Sequence, residues 1–121
     1  MAKQSELGNS GLGAVGITAV LGSVARSLTA AGTTQADALA LGSANNFLGT
    51  VAASTGVVLP PGGQGDEIFI YNGGANAVLV YPPVGAAINN LAANASLSLA
   101  TLKSGIYRYA TATAIASCLS G

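Results

Sequence analysis

The chain has 121 residues, a formal net charge of zero and only 7% charged residues, against about 25% in ordinary globular proteins. Its length suits one domain with one core, and near-zero net charge favours association with other protein surfaces. No two of the four basic residues are neighbours, which argues against binding to nucleic-acid phosphates. Histidine, the commonest general base and nitrogen metal ligand, is absent, and we predict no catalytic residue, cofactor or metal.

Residues 1–30 differ from the rest of the chain and are predicted to form an arm. Five glycines between Gly8 and Gly22 give this segment little intrinsic order, and it has no aromatic residue. We expect it to be extended or partly ordered on a partner and dispensable for folding. Scattered aliphatic side chains would anchor it there: Leu7, Leu12, Val15, Ile17, Val20, Leu21 and Val24.

Two other interpretations of the first residues remain open. Residues 1–25 could be a signal peptide, with Lys3 as the charged start and small residues at 23–25 as the cleavage site. Polar Glu6 and Asn9 and the many glycines fit that scheme badly. The uncharged stretch 7–25 has the length of a membrane span, but its glycine, serine, threonine and asparagine content makes it too polar. We therefore prefer the interpretation of residues 1–30 as an arm.

Residues 31–121 are predicted to be an all-β domain. Weak strands at 33–41 and 47–54 are followed by a short apolar run at 57–59 and the loop PPGGQGD. Residues 67–71 and 76–81 are rich in β-branched and aromatic side chains, and the Asn-Gly-Gly turn between them predicts a hairpin over 67–81. Strands at 95–100, 106–109 and 114–119 complete the domain, the last two as a pair.

The regular spacing of strands and turns favours an antiparallel β-sandwich or a jelly-roll-like barrel. No amphipathic helix of ten residues or more is evident after residue 31. Alternation of apolar and polar residues predicts the core side chains, which are Val51, Val58, Ile68, Ile70, Val78, Val80, Ile88, Leu97, Leu99, Ile106 and Ile115.

Three patterns resemble sites of chemistry, and each has a simpler interpretation. Residues 11–16 match the spacing G-x-G-x-x-G with Asp37 further on, but no buried strand precedes them as a dinucleotide site requires. The adjacent acids Asp66 and Glu67 offer too few oxygens for calcium and are interpreted as a solvated loop edge. The single cysteine, Cys118, is interpreted as a small apolar side chain near the end of the last strand.

The tyrosines are the remaining candidate functional residues. Tyr71, Tyr81, Tyr107 and Tyr109 combine a broad apolar face with a polar tip, which suits subunit interfaces and also sugar-stacking surfaces. The interface interpretation is preferred, so these four side chains join the aliphatic anchors as predicted contact residues.

Four stretches of the chain resemble small Ala/Gly-rich virion proteins of tailed bacteriophages. They are LTAAGTTQADALAL (28–41), TGVVLPPGGQGDEIFIYNGGANAVLVYPP (55–83), GAAINNLAANASLSL (85–99) and KSGIYRYATAT (103–113). The resemblance is strongest to capsid decoration, or cement, proteins, which are usually β-rich and often trimeric. It implies no catalytic residue.

The expected function is therefore that of a cement protein on the outside of a phage capsid. Its partners would be the major capsid protein and further copies of itself, as a homotrimer, with no nucleic acid, membrane or small-molecule substrate. Two alternative functions remain open. One is a tail, baseplate or fibre module, which could bind glycans, and the other is an exported surface protein if residues 1–25 are cleaved.

Overall fold

The structure is a computed structural model that describes residues 23–120, and within this range the chain is all-β with no helix. The prediction of an all-β domain is confirmed. Ten strands occur in the described range: β1 (Val24–Thr29), β2 (Leu39–Ala40), β3 (Asn45–Thr50), β4 (Gly56–Val58), β5 (Glu67–Asn72), β6 (Val78–Tyr81), β7 (Ala87–Ile88), β8 (Leu97–Leu99), β9 (Ser104–Thr111) and β10 (Ala114–Leu119). Over residues 23–120, no helix is long and apolar enough to cross a membrane.

The chain winds back and forth between two sheets. The six-stranded sheet has the order β1-β3-β5-β9-β10-β7, and the four-stranded sheet has the order β2-β4-β6-β8. Strands β1, β3 and β5 pair in parallel, as do β2, β4 and β6 in the other sheet. Each turn of the chain thus adds one strand to each sheet, so that Val24 lies beside Asn45 and Asn45 beside Phe69. The result is a solenoid-like arrangement of three turns.

The C-terminal third adds antiparallel strands to the last turn. β8 pairs antiparallel with β6 in the four-stranded sheet, and β9 pairs antiparallel with β5 in the six-stranded sheet. β10 returns beside β9, as predicted for the last pair of strands, and the short β7 runs parallel to its far side. Five of the eight strand pairings are parallel, so the pairing does not match the predicted antiparallel sandwich or jelly roll.

The predicted hairpin over residues 67–81 is wrong because its two strands lie in different sheets. The Asn-Gly-Gly sequence turns the chain around a corner between the sheets. Buried Asn72 holds that corner. Its side-chain amide donates to the carbonyls of Asn76 and Leu99, and its side-chain oxygen accepts the backbone N–H of Gly74. These bonds satisfy the amide inside the protein, so a polar residue is tolerated where a strand leaves the sheet.

Side chains from both sheets form one core between them. Eight of the predicted core residues are buried, whereas Val58, Leu97 and Ile106 are half-buried. Valine and leucine positions that the alternation missed, such as Leu48 and Val57, are fully enclosed. The buried hydrophobic residues are Ala30, Leu41, Leu48, Val51, Val57, Leu59, Ile68, Ile70, Val78, Val80, Tyr81, Ala86, Ile88, Leu99, Tyr107, Tyr109 and Ile115.

The structure places part of the predicted arm inside the domain. β1 hydrogen-bonds along β3, Leu28 packs against the core and Ala30 is buried. Residues 24–30 therefore belong to the β domain, because they supply the first strand of the first turn. The first 22 residues, with the proposed anchors Leu7, Leu12, Val15, Ile17, Val20 and Leu21, lie outside the described residues.

Candidate interaction surface

The two phenylalanines and four tyrosines of the chain divide into two groups of three. Tyr81, Tyr107 and Tyr109 are buried, with at most 9% of each side chain exposed. Phe47, Phe69 and Tyr71 remain partly exposed on the outward side of the six-stranded sheet. The surface to be considered for function is therefore this outward side.

Alternation along the strands fixes which side chains point outward. In β5, Ile68, Ile70 and Asn72 are buried, so Glu67, Phe69 and Tyr71 lie on the opposite side of the sheet. In β9 the buried residues are Gly105, Tyr107 and Tyr109, which leaves Ile106 and Arg108 outside. The prediction of Ile106 as a core residue is corrected accordingly, because register puts the tyrosines inward instead.

Strand pairing brings the outward side chains together in one patch. Phe47 of β3 lies opposite Tyr71 of β5, Phe69 lies opposite Ile106 of β9, and Ile106 lies opposite Cys118 of β10. The ring of Phe47 is 5.6 Å from that of Phe69 and 6.3 Å from that of Tyr71, both in tilted contact. We call this patch, consisting of Phe47, Phe69, Tyr71, Ile106 and Cys118, the aromatic face.

One ion pair borders the aromatic face. Glu67 of β5 and Arg108 of β9 are directly opposite each other and their side chains are in contact. More than half of each side chain is exposed, so the pair contributes little to stability. Because the acid and the base lie side by side, their charges cancel and the aromatic face carries no net charge.

The three buried tyrosines are enclosed by other parts of the chain. The Tyr109 hydroxyl donates to the Pro60 carbonyl and the Tyr81 hydroxyl donates to the Thr33 carbonyl. The Tyr107 hydroxyl has no hydrogen-bond partner among residues 23–120. Burial raises the pKa of Tyr107 far above its ordinary value; burial and then the nearby Asp66 carboxylate raise the pKa of Tyr109 to about 12.

The interaction predictions for Tyr81, Tyr107 and Tyr109 are corrected by this burial, since enclosed side chains present no surface to a partner. Of the predicted contact residues in the described range, Tyr71 lies on the aromatic face. Val24 lies at the edge of the same sheet, in the row that runs through Asn45 to Phe69, and is 60% exposed.

The outer side of the four-stranded sheet is covered in part by the segment 31–38. Tyr81 lies on the side of β6 opposite the core residue Val80, and its hydroxyl donates to the Thr33 carbonyl. Gln35 donates through its side chain to the Pro82 carbonyl and to the Asn94 side-chain oxygen. Phe47, in contrast, keeps 38% of its surface exposed on the aromatic face.

Asp37 organises that covering segment. Its carboxylate accepts the backbone N–H groups of Thr33 and Thr34 and the Thr34 hydroxyl. These bonds, the backbone N–H of Thr34 foremost, lower the pKa of Asp37. The residue that would bind ribose in a dinucleotide site thus has a local structural role.

The sheet edges in the described range are short or irregular. β2 and β7 have two residues each and β8 has three. β1 is longer, but its pairing with β3 shifts register twice and Ser27 has a φ of 56°. Short and bulged edge strands discourage edge-to-edge pairing with another sheet.

The other sequence patterns are placed in loops and on the surface. Asp66 accepts the backbone N–H of Gly63 and thereby closes the PPGGQGD loop. Within residues 23–120 there is no group of three or more histidine, cysteine, aspartate or glutamate side chains that could hold a metal ion. Cys118 is a free, exposed thiol.

Sequence reasoning missed Phe47, Phe69 and Ile106 as surface residues, although a signal was present. Placing Ile68 and Ile70 in the core already forces Phe69 and Tyr71 to the other side, where Glu67 also lies. In β9, Arg108 lies on the same side of the strand as Ile106, and its charge indicates that this side faces solvent.

Comparison with known protein families, with curated proteins and with solved structures found no match. The function is therefore inferred from the aromatic face and from the sequence.

Proposed function

We propose that this chain is a non-enzymatic virion protein of the cement type, which binds the outside of a phage capsid and stabilises it by bridging capsid subunits. Its partners would be the major capsid protein and other copies of itself, assembled as a homotrimer. The observation that supports this most directly is an aromatic face that the described residues leave partly exposed, on a chain that carries 7% charged residues and no net charge.

The composition of the surface supports a role in contact with other proteins. Large aromatic side chains are enriched, and charged residues depleted, at the centres of protein interfaces. The resemblance of residues 28–41, 55–83, 85–99 and 103–113 to tailed-phage virion proteins is our reason for proposing the capsid as the assembly concerned. A cement protein needs no reactive group, since its effect comes from the interface that it buries.

The mechanism would be multivalent bridging. Each contact between one copy and the shell can be weak, because copies held together bind neighbouring capsid subunits at high effective concentration. The buried interface would then oppose the outward pressure of the packaged genome. The first 22 residues are the proposed arm that completes attachment.

The test is to add the purified full-length protein to capsids that lack it. We expect saturable binding to the outer surface and a higher temperature of genome release. Because the chain has no net charge, binding should change little between about 50 and 200 mM salt. Capsids that neither bind the protein nor gain thermal stability would contradict the proposal.

Two further measurements separate the rival functions. Imaging of whole particles with the protein confined to the tail would favour a tail or fibre module. Intact mass of the mature chain decides the export hypothesis, because a chain that starts after Ala25 would identify residues 1–25 as a cleaved signal peptide.

A further inference from the structure

We infer that the aromatic face is the surface through which copies of this chain bind one another. This deepens the proposed function, on which it rests, by naming the partner of one defined surface. The capsid would then be contacted by other parts of the chain.

The first reason is the apolar character of the face. Phe47, Phe69, Tyr71 and Ile106 stand side by side on neighbouring strands, and no described segment covers Phe47. Contact between copies would remove these rings from water, which is favourable in proportion to the apolar area buried. Interfaces between identical subunits are more apolar than the general protein surface, as this face is.

The second reason is that the charges of the face complement themselves. The four strands that carry it, β3, β5, β9 and β10, contain only two charged residues, Glu67 and Arg108. They lie next to each other and pair within one copy, so copies can bring these faces together without burying an unpaired charge. A partner with strong charge of either sign would gain nothing from such a surface.

The third reason is that the other routes to self-association are hindered. The edge strands β2, β7 and β8 are too short to template another sheet, and β1 is bulged. On the four-stranded sheet, Thr33 and Gln35 bring the segment 31–38 over the outer side. The aromatic face has no such obstacle among the described residues, and its Phe47 side chain is 38% exposed.

The first experiment measures the association state of the full-length protein by sedimentation over a wide concentration range. We expect an oligomer whose dissociation constant rises about tenfold or more in Phe47→Lys, since one buried aromatic ring is lost from each copy. Val84→Lys is the matched control, because Val84 is 84% exposed in the loop after β6 and away from the face. Circular dichroism would show that both variants keep their β structure.

A charge exchange tests self-complementarity. Glu67→Arg alone and Arg108→Glu alone should each weaken association, because copies would then present like charges to one another. The double variant Glu67→Arg/Arg108→Glu restores one acid and one base per face and should restore association. An equal effect of the double and the single variants would contradict the charge argument.

The single cysteine gives a readout on the unmodified protein. Cys118 lies on the face beside Ile106, so its alkylation by a bulky maleimide should slow as the concentration of the protein rises into the oligomeric range. The alkylated protein should then remain monomeric. Because this measurement needs no substitution, it decides the inference even if Phe47→Lys fails to fold.

Two outcomes would overturn the inference. A monomer with slow alkylation at every concentration would show that another part of the same chain covers the face. A monomer with rapid alkylation would show that the face stays open. If such a monomer still decorates capsids, the proposed function survives and only the assignment of the partner to the aromatic face is lost. If a stable oligomer forms but binds no capsid, the assignment of the partner survives and the proposed function is lost.

Discussion

At the scale of single residues, the tyrosines show how alternation in one strand decides between core and surface. In β9, Tyr107 and Tyr109 point inward with Gly105, while Ile106 and Arg108 point outward. The two tyrosines differ in their hydroxyl groups. That of Tyr109 donates to the Pro60 carbonyl, whereas that of Tyr107 is buried with no partner among the described residues.

This difference predicts opposite effects of removing the two hydroxyl groups. Tyr107→Phe removes an unsatisfied polar atom and should raise the free energy of unfolding by about 1 kcal/mol at neutral pH. Tyr109→Phe leaves the Pro60 carbonyl without its donor and should lower it by about 1 kcal/mol. Urea unfolding of both variants measures this, and a loss of stability in both would show that the Tyr107 hydroxyl has a partner.

The same tyrosines predict a loss of stability at alkaline pH. Burial raises the pKa of both above the ordinary value of 10.0, that of Tyr109 to about 12. Above pH 10 the unfolded chain therefore releases tyrosine protons that the folded chain retains. Stability is fully present below pH 10 and falls as pH rises toward 12, by about 1.4 kcal/mol per pH unit for each tyrosine. Each Phe variant should show a shallower slope, and a flat profile to pH 11.5 would contradict the burial.

At the scale of elements, close backbone approach holds the four-stranded sheet together. Gly56 of β4 lies against β6, where an added Cβ would come within 2.7 Å of the Leu79 carbonyl oxygen and 2.8 Å of the Tyr81 ring. Gly56 also exchanges hydrogen bonds with Ala31, which brings the start of the covering segment to the sheet. A side chain at this position would force neighbouring backbone to move.

We therefore expect Gly56→Ala to destabilise the protein by about 2 kcal/mol, as typical of overpacked sites. Gly63→Ala is the control, because an added Cβ there meets nothing within 4 Å. Thermal unfolding should show a lower midpoint for Gly56→Ala and an unchanged or slightly higher midpoint for Gly63→Ala. Equal midpoints would mean that β4 and β6 are further apart than described.

At the scale of the whole molecule, the two ends of the solenoid are different. The last turn is covered by the antiparallel strands β8 and β9, whereas β1 and β2 form the first turn. Solenoid turns depend on their neighbours for burial, so removing a terminal turn exposes the next one. Leu28 of β1 and Leu39 of β2 belong to the first turn and pack against the core.

This arrangement predicts how the chain responds to N-terminal truncation. A protein that begins at Ser23 should keep the full free energy of unfolding, because it retains β1. A protein that begins at Ala30 should lose at least about 2 kcal/mol, since Leu28 and the hydrogen bonds between β1 and β3 are gone. Urea unfolding compares the two. Equal stability would restore the boundary at residue 30 that the sequence suggested.

The sequence by itself determined the all-β class and eight of the seventeen buried hydrophobic residues in the described range, because β-branched and aromatic residues at alternating positions act locally, as in β5 and β6. It also determined which residues share a side of a strand. Apart from the pair β9 and β10, only the tertiary structure decided which strands pair: Asn72 turns the chain into the second sheet with a hydrogen bond to the Leu99 carbonyl, far along the sequence. The aromatic face depends on those long-range pairings, since Phe47, Tyr71 and Ile106 come from β3, β5 and β9, whose pairing with one another no local pattern specifies.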